Sequence, residues 1–172
     1  DPSDANKFVL AYKDGPTFGY GTAVVGTVSG TSIVFGAKAV FNSGMTMYLS
    51  IAFDPNTAGK FVVAYRDHGN SSYTTAVVGT MSGTSISFGA EVIFSSSTSY
   101  YRTSIAFDPN TAGKFVVAFS DGANAFAGTT IVGIVSGTSI TFGAKVAFNA
   151  GTTDYFSLLF DPNTAGQFVV AY

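Results

Sequence analysis

The dipeptide Asp-Pro recurs along this chain at a nearly constant spacing. It begins at Asp1, Asp54, Asp108 and Asp161, and successive copies are 53, 54 and 53 residues apart. Self-similarity at a fixed period is the sequence signature of a repeat architecture. The 172 residues are therefore predicted to form a single repeat domain. Its predicted units are residues 1–53, 54–107 and 108–160, followed by a partial fourth unit at 161–172.

Each unit contains four short apolar segments. In the order A to D they are SIAF (104–107), KFVVAY (60–65), TAVVGT (75–80) and ISFGAEVIF (86–94). These segments are rich in Val, Ile, Phe and Tyr and are bounded by Gly, Pro, Asn, Asp or Ser, which is typical of strands and turns. The sequence therefore predicts an all-β fold without helices.

Four antiparallel strands in a unit of about 53 residues match a β-propeller blade, so three blades are predicted in this chain. The alternative is a β-trefoil, which also contains three four-stranded units. The additional copy of the repeat at 161–172 argues against the trefoil, because a closed threefold structure has no place for it.

The links between strands differ in how much they vary. The A–B link (Asp-Pro-Asn-Thr-Ala-Gly) and the C–D link (Ser-Gly-Thr-Ser) are short turns and nearly invariant. The longer B–C and D–A links diverge between units and must lie together at the opposite end of an antiparallel meander. We call this end the variable rim; its segments are 14–21, 67–74, 121–127, 42–49, 95–103 and 149–156.

The variable rim is the predicted binding surface, because loops held by a rigid frame commonly carry recognition. Aromatic rings there stand beside amides and suit a surface glycan, since flat rings stack on sugar rings and amides bond their hydroxyls. The candidate ligand-binding residues are Tyr20, Tyr48, His68, Asn70, Tyr73, Tyr101, Arg102, Asn124, Phe126 and Tyr155.

Charge and hydropathy exclude two partner classes. Only 10% of the residues are charged, and 8 Lys+Arg against 10 Asp+Glu give a net charge of -2. No basic stripe is available to neutralise phosphates, so a nucleic-acid partner is not expected. The longest apolar runs are far shorter than the roughly 20 residues of a membrane-spanning helix, so membrane insertion is not expected either.

The residues that usually carry chemistry are scarce. There is no Cys, and His68 is the only histidine, so a catalytic triad or a transition-metal site would depend on this one side chain. Asp14, Asp67 and Asp121 occupy equivalent positions after strand B and are predicted to cap the B–C turns. Glu91 is predicted to lie on a solvated outer strand. We expect no enzymatic activity, no cofactor and no bound metal.

The Asp-Pro-Asn turns offer a second interpretation. Asp54 with Asn56, and Asp108 with Asn110, have a spacing that suits an oxygen-seeking ion such as calcium. A hydrogen-bonded Asx turn explains the same residues without an ion. We expect the Asx turn rather than an ion site.

Two stretches carry a resemblance to known sequences. TAVVGTVSGTSI (22–33) and SGTSISFG (82–89) resemble a repeat in large, uncharacterised proteins of aquatic phages and bacteria. The resemblance covers the whole chain. It implies a propeller-like repeat on a virion or cell surface and supplies no catalytic residues.

These observations predict a non-enzymatic structural or adhesive repeat module of an extracellular or virion appendage. The expected partners are further copies of the chain, joined through the terminal strands at 157–172, or further repeats of a longer polypeptide. The alternative is a lectin-like propeller that binds glycan with the variable rim. A sialidase-like enzyme ranks third, because it needs an arginine cluster and the chain has only Arg66 and Arg102.

Overall fold

The computed structural model describes residues 1–97 and 102–172 and is all-β, as predicted, with 65% of residues in strands and 3% helical. The described residues form fourteen strands: β1 (Lys7–Asp14), β2 (Tyr20–Ser29), β3 (Ser32–Phe35), β4 (Ala39–Phe53), β5 (Lys60–Asp67), β6 (Tyr73–Ser82), β7 (Ser85–Phe88), β8 (Val92–Ser95), β9 (Thr103–Phe107), β10 (Lys114–Asp121), β11 (Ala127–Ser136), β12 (Ser139–Thr152), β13 (Ser157–Phe160) and β14 (Phe168–Ala171). The helical residues are two single 3₁₀ turns, Gly15–Thr17 and Gly122–Asn124.

Every strand pair is antiparallel, and the strands fall into three hydrogen-bonded sheets. The first is an eight-stranded, curled sheet with the order β1-β2-β4-β5-β6-β7, in which β3 also pairs with β2 and β8 with β6. The second has the order β12-β11-β10-β9, and the third is the pair β13-β14.

The long strand β4 joins two repeats into the eight-stranded sheet. Its first part, to Met45, pairs with β2, and its second part, from Thr46, pairs with β5. A register shift between Met47 and Ser50 marks the bend, where Tyr48 has a φ of 51°. We therefore describe the chain as four layers: β1–β3 with the first part of β4, the second part of β4 with β5–β8, β9–β12, and β13–β14.

The core lies between the layers, because successive side chains of a strand point to opposite faces. Strand β5 shows this most clearly. Phe61, Val63 and Tyr65 pack against layer 1, whereas Val62 and Ala64 pack against layer 3. The central strands β5 and β10 are consequently buried on both faces along nearly their whole length.

One phenylalanine from strand D of each layer enters an aromatic pair of the next layer. Phe41 lies 5.2 Å from the Tyr65 ring and 5.5 Å from the Phe88 ring, between ring centroids. In the next layer, Phe94 likewise lies 5.2 Å from the Phe119 ring and 5.1 Å from the Phe142 ring. Tilted and edge-on ring pairs at these distances stabilise a core beyond the area that they bury. The two interfaces are therefore built in the same way.

The glycines that follow Phe35 and Phe88 allow the backbones of two layers to approach. A Cβ on Gly36 would collide with the backbone carbonyl of Thr84, and one on Gly89 with that of Thr138. Both threonines lie in the C–D turn of the following layer. At the equivalent Gly143, a Cβ would meet only the Val132 carbonyl, at 3.8 Å.

The short A–B turns link one layer to the next through backbone amides. Asp54 accepts hydrogen bonds from Asn56 N on Oδ1 and from Gly113 N on Oδ2, each at 2.9 Å. Asp108 repeats the pattern with Asn110 N and Gly166 N, each at 3.0 Å. Each carboxylate therefore caps its own turn and also holds the turn of the following layer.

The interface glycines generate a first prediction. Gly89→Ala is expected to lower the free energy of unfolding by about 1–3 kcal/mol, the usual cost of overpacking, because its Cβ meets fixed backbone. Gly143→Ala, compared at chain concentrations where the monomer predominates, is the matched control and is expected to be close to neutral. Urea unfolding of both variants measures the difference, and equal losses would contradict the layer contact.

Candidate functional site at the variable rim

The B–C and D–A loops are joined to one another by backbone hydrogen bonds. Thr46 N donates to Gly19 O at 2.8 Å, and His68 N donates to Met45 O at 2.9 Å. Farther along the chain, Thr153 N donates to Phe126 O at 3.0 Å. The D–A loop at 42–49 thus contacts B–C loops on both sides, and the loop at 149–156 contacts the B–C loop of its own layer.

The rim carries backbone strain that the short turns avoid. Among the described residues, every non-glycine with positive φ lies on the rim: Phe18, Tyr48, Ser71, Ser72, Ala125, Phe126 and Tyr155. The short turns use glycine at such positions, for example Gly59 and Gly113. A non-glycine residue in the left-handed region costs on the order of 1–3 kcal/mol, and such strain clusters at functional sites.

In layer 2, several side chains of the rim lie around Arg66. This buried side chain donates from Nη2 to Ser72 Oγ at 2.8 Å, and its guanidinium lies 6.0 Å from the centre of the Tyr48 ring. His68 Nδ1 lies 2.9 Å from the same Ser72 Oγ. The structure thereby brings two predicted site residues, Tyr48 and His68, to one arginine. Arg66 was missed as a site residue, because in the sequence it directly continues the apolar strand B at 60–65.

A second arginine and tyrosine pair lies farther along the rim. The Arg102 guanidinium is 5.2 Å from the centre of the Tyr155 ring, within the range of a cation–π contact. Tyr155 occupies the same position in its layer as Tyr48 and is 72% exposed. These two predicted residues therefore form an exposed, flat and positively charged surface.

The remaining predicted site residues are distributed along the rim. Asn70 and Asn124 are exposed in separate B–C loops, and Phe126 is half-buried. Tyr20 and Tyr73 are half-buried at equivalent strand starts, opposite Asp14 and Asp67. Tyr101 lies outside the described residues. Phe18 was not among the predicted residues, although it is 85% exposed beside Tyr20.

The aspartates at the ends of strand B do not all have the predicted role. Asp67 Oδ1 accepts from Asn70 N and Asp121 Oδ1 from Ala123 N, each at 3.2 Å, so these two cap their turns. Asp14 makes no side-chain cap and instead forms an ion pair with Lys38 at 3.0 Å. The capping prediction was therefore wrong for Asp14, whereas Asp121 caps its turn and also pairs with the equivalent Lys145.

Glu91 differs from the predicted solvated residue in having a specific partner. The carboxylate is exposed, but its Oε1 accepts a hydrogen bond of 2.6 Å from the hydroxyl of the buried Tyr65. Burial and the neighbouring Glu91 together raise the pKa of Tyr65. The phenol therefore stays protonated and can donate this hydrogen bond.

A polar network supports the rim in layer 3. Lys145 Nζ donates to Asp121 Oδ2 at 3.0 Å and to Ser95 Oγ at 2.7 Å, and Ser97 Oγ donates to Asp121 Oδ1 at 2.9 Å. Burial raises the pKa of Asp121, but the hydrogen bonds from Lys145 and Ser97 outweigh it, so the pKa lies below the ordinary 3.8. The charged carboxylate is thus the stable form.

No cluster of potential metal ligands is found in the part of the chain that the structure describes. No group of three or more His, Cys, Asp or Glu side chains there could hold a metal ion. At the Asp-Pro-Asn turns, both carboxylate oxygens of Asp54 and of Asp108 already accept hydrogen bonds from backbone amides, in agreement with the Asx-turn interpretation.

None of the described helices has the length and apolarity needed to cross a membrane.

Comparison with known proteins does not assign a family. Neither protein-family models nor curated proteins give a match to this chain.

The Asp121 network generates a second prediction. Because the folded-state pKa is lowered, the stabilisation by the carboxylate is present above the unfolded-state pKa and is lost progressively below about pH 4. Asp121→Asn should be less stable than the parent chain at pH 7, by about 1.5–3 kcal/mol for a charged hydrogen bond. The difference should shrink as the pH falls to 3. Urea unfolding at pH 7, 5, 4 and 3 measures it, and a constant difference would contradict the network.

Proposed function

We propose that this chain is a non-enzymatic structural and adhesive repeat module of an extracellular or virion appendage, built of β-propeller blades. The observation that carries the proposal is the repeated layer contact. Phe41 and Phe94 enter equivalent aromatic pairs, and Gly36 and Gly89 receive equivalent turns. The same layer-to-layer contact therefore occurs twice within one chain, which supports a role in assembly.

The burial of the central strands favours blades over the trefoil. In a barrel, each strand turns one face inward and the other outward. Strands β5 and β10 instead have both faces covered by neighbouring layers, as a blade has inside a ring of blades.

The polar groups near His68 support a non-enzymatic role. The Ser72 hydroxyl is buried and accepts a hydrogen bond from Arg66 while it contacts His68. An arginine donating to a serine oxygen lowers its nucleophilicity. Low charge and the resemblance to repeats in large proteins of aquatic phages and bacteria, which implies a virion or cell surface, support a location outside the cell or on a virion.

Immunogold electron microscopy tests the proposed location. An antibody raised against the purified chain should label appendages on the outside of the source cells or virions, in an array with the period of the assembly. A preimmune serum is the control. Label confined to the cell interior would refute the module that we propose.

The lectin-like function is the second candidate, and the strained rim favours it. Tyr48 and Tyr155 both hold left-handed backbone conformations, and each ring lies against an arginine. An exposed ring stacks on the apolar face of a sugar, while Arg102 and the exposed Asn70 and Asn124 are donors for its hydroxyls.

A glycan array tests this candidate. If the chain binds a sugar, Tyr155→Ala should weaken that binding about tenfold, equivalent to about 1.4 kcal/mol of stacking. Ile134→Ala is the matched control, because this side chain is 42% exposed and lies beside the C–D turn of its layer, at the end opposite the rim. Equal binding by both variants would exclude the rim as the glycan site, and no binding by the parent chain would exclude the lectin.

A further inference from the structure

The outer face of layer 1 is shaped like the faces that receive a phenylalanine elsewhere in the chain. It contains a cavity of about 280 Å³ whose lining includes Tyr12, Phe35 and Leu10. Tyr12 and Phe35 are equivalent to Tyr65 and Phe88, the pair that encloses Phe41. Leu10 and Phe35 are 46% and 53% exposed, whereas the equivalent Val63 is fully buried.

The opposite end of the chain presents the phenylalanine that such a cavity fits. Phe148 is equivalent to Phe41 and Phe94, and its ring lies 5.1 Å from that of Tyr172. Layer 4 covers it with only the two strands β13 and β14, where layers 2 and 3 use four or more. Gly143 also lies open there, although Gly36 and Gly89 are covered by the next layer.

Strands β1 and β14 are equivalent in sequence and position. Residues 8–12 are FVLAY and residues 168–172 are FVVAY, so four of the five are identical. Each is strand B of its layer. Within the described residues, β1 pairs only with β2. The equivalent strands β5, β10 and β14 each pair with a strand A on the edge that corresponds to the other edge of β1.

We propose that β1 of a second copy of this chain replaces β14 beside β13, so that Tyr12 and Phe35 of the second copy enclose Phe148 of the first. This inference rests on the proposed structural module and names its partner. By the β13–β14 register, Leu10 of the second copy then lies opposite Leu158, the position now held by Val170.

The replacement preserves the contacts of β14 and adds new ones. The incoming strand brings the same Phe, Val, Ala and Tyr in the same order, so the core that β14 now fills stays filled. It also brings β2, β3 and β4, which cover Phe148 and place the turn at Thr31 against Gly143. Thr31 is equivalent to Thr84 and Thr138, the residues that cover Gly36 and Gly89. The contact is head-to-tail, so two copies close a ring if the rotation permits and otherwise form a filament.

Sedimentation velocity over a concentration series tests the interface. The parent chain should associate, and Gly143→Val should weaken association at least a hundredfold, because its side chain would occupy the space of Thr31 of the second copy. Within one chain a Cβ at this position meets only the Val132 carbonyl, at 3.8 Å, so the variant should fold. Thermal unfolding monitored by circular dichroism verifies this. Ala144→Val is the matched control. The equivalent Ala37 and Ala90 remain exposed even though the next layer covers the neighbouring Gly36 and Gly89, so a larger side chain at this position should not block the second copy.

Cysteine cross-linking tests the strand replacement itself in a chain that has no Cys. Leu10→Cys with Leu158→Cys should give disulfide-linked copies on a non-reducing gel, since directly paired strand residues lie within disulfide range. Leu10→Cys with Phe160→Cys, displaced by two residues, should link far less.

The outcomes separate this inference from the module on which it rests. Association that persists in Gly143→Val, or that gives no Leu10–Leu158 cross-link, overturns strand replacement, while surface labelling by the antibody would still support the module. A parent chain that stays monomeric at every concentration overturns the second copy as the occupant. The cavity would then belong to a preceding repeat of a longer polypeptide.

Discussion

The structure depends on one constraint, namely that each β-layer can bury both of its apolar faces only between two similar layers. Strand β5 shows the requirement within a single segment, since Phe61 and Val63 need a layer on one side and Val62 needs one on the other. The ring of Phe41 or Phe94 then fixes how far the layers slide over each other. Removal of apolar area from water supplies the driving force, and the ring contacts select one arrangement.

The strands and short turns were predictable because local chemistry determines them. Runs such as KFVVAY combine β-branched and aromatic residues between turn formers, and Gly59 and Gly113 stand where φ must be positive. The continuity of β4 was not predictable. Residues 43–47 contain polar and flexible residues typical of a loop, and pairing with β2 and β5 keeps them in the strand.

The rim was predictable as a location but not in its contacts. Its left-handed residues include Phe18, Tyr48 and Tyr155, side chains that carry no sequence signal for such a conformation. Arg66 and Glu91 have roles that depend on partners 6 to 26 residues away in the chain. Both hydrogen bonds join residues of layer 2 that only the folded sheet brings together, which single-sequence patterns do not encode.

The chain of Asx turns has a mechanical consequence. Asp54 and Asp108 each hold a backbone amide of the following layer, and Asn56 and Asn110 donate to the carbonyls of Asp108 and Pro162. These turns lie at the end opposite the variable rim, which we call the base. A load that pulls neighbouring layers apart at the base stretches two hydrogen bonds at once, and it meets the same resistance at each pair of layers. Tension is therefore shared along the base, while a sequence change in a rim loop leaves this resistance intact.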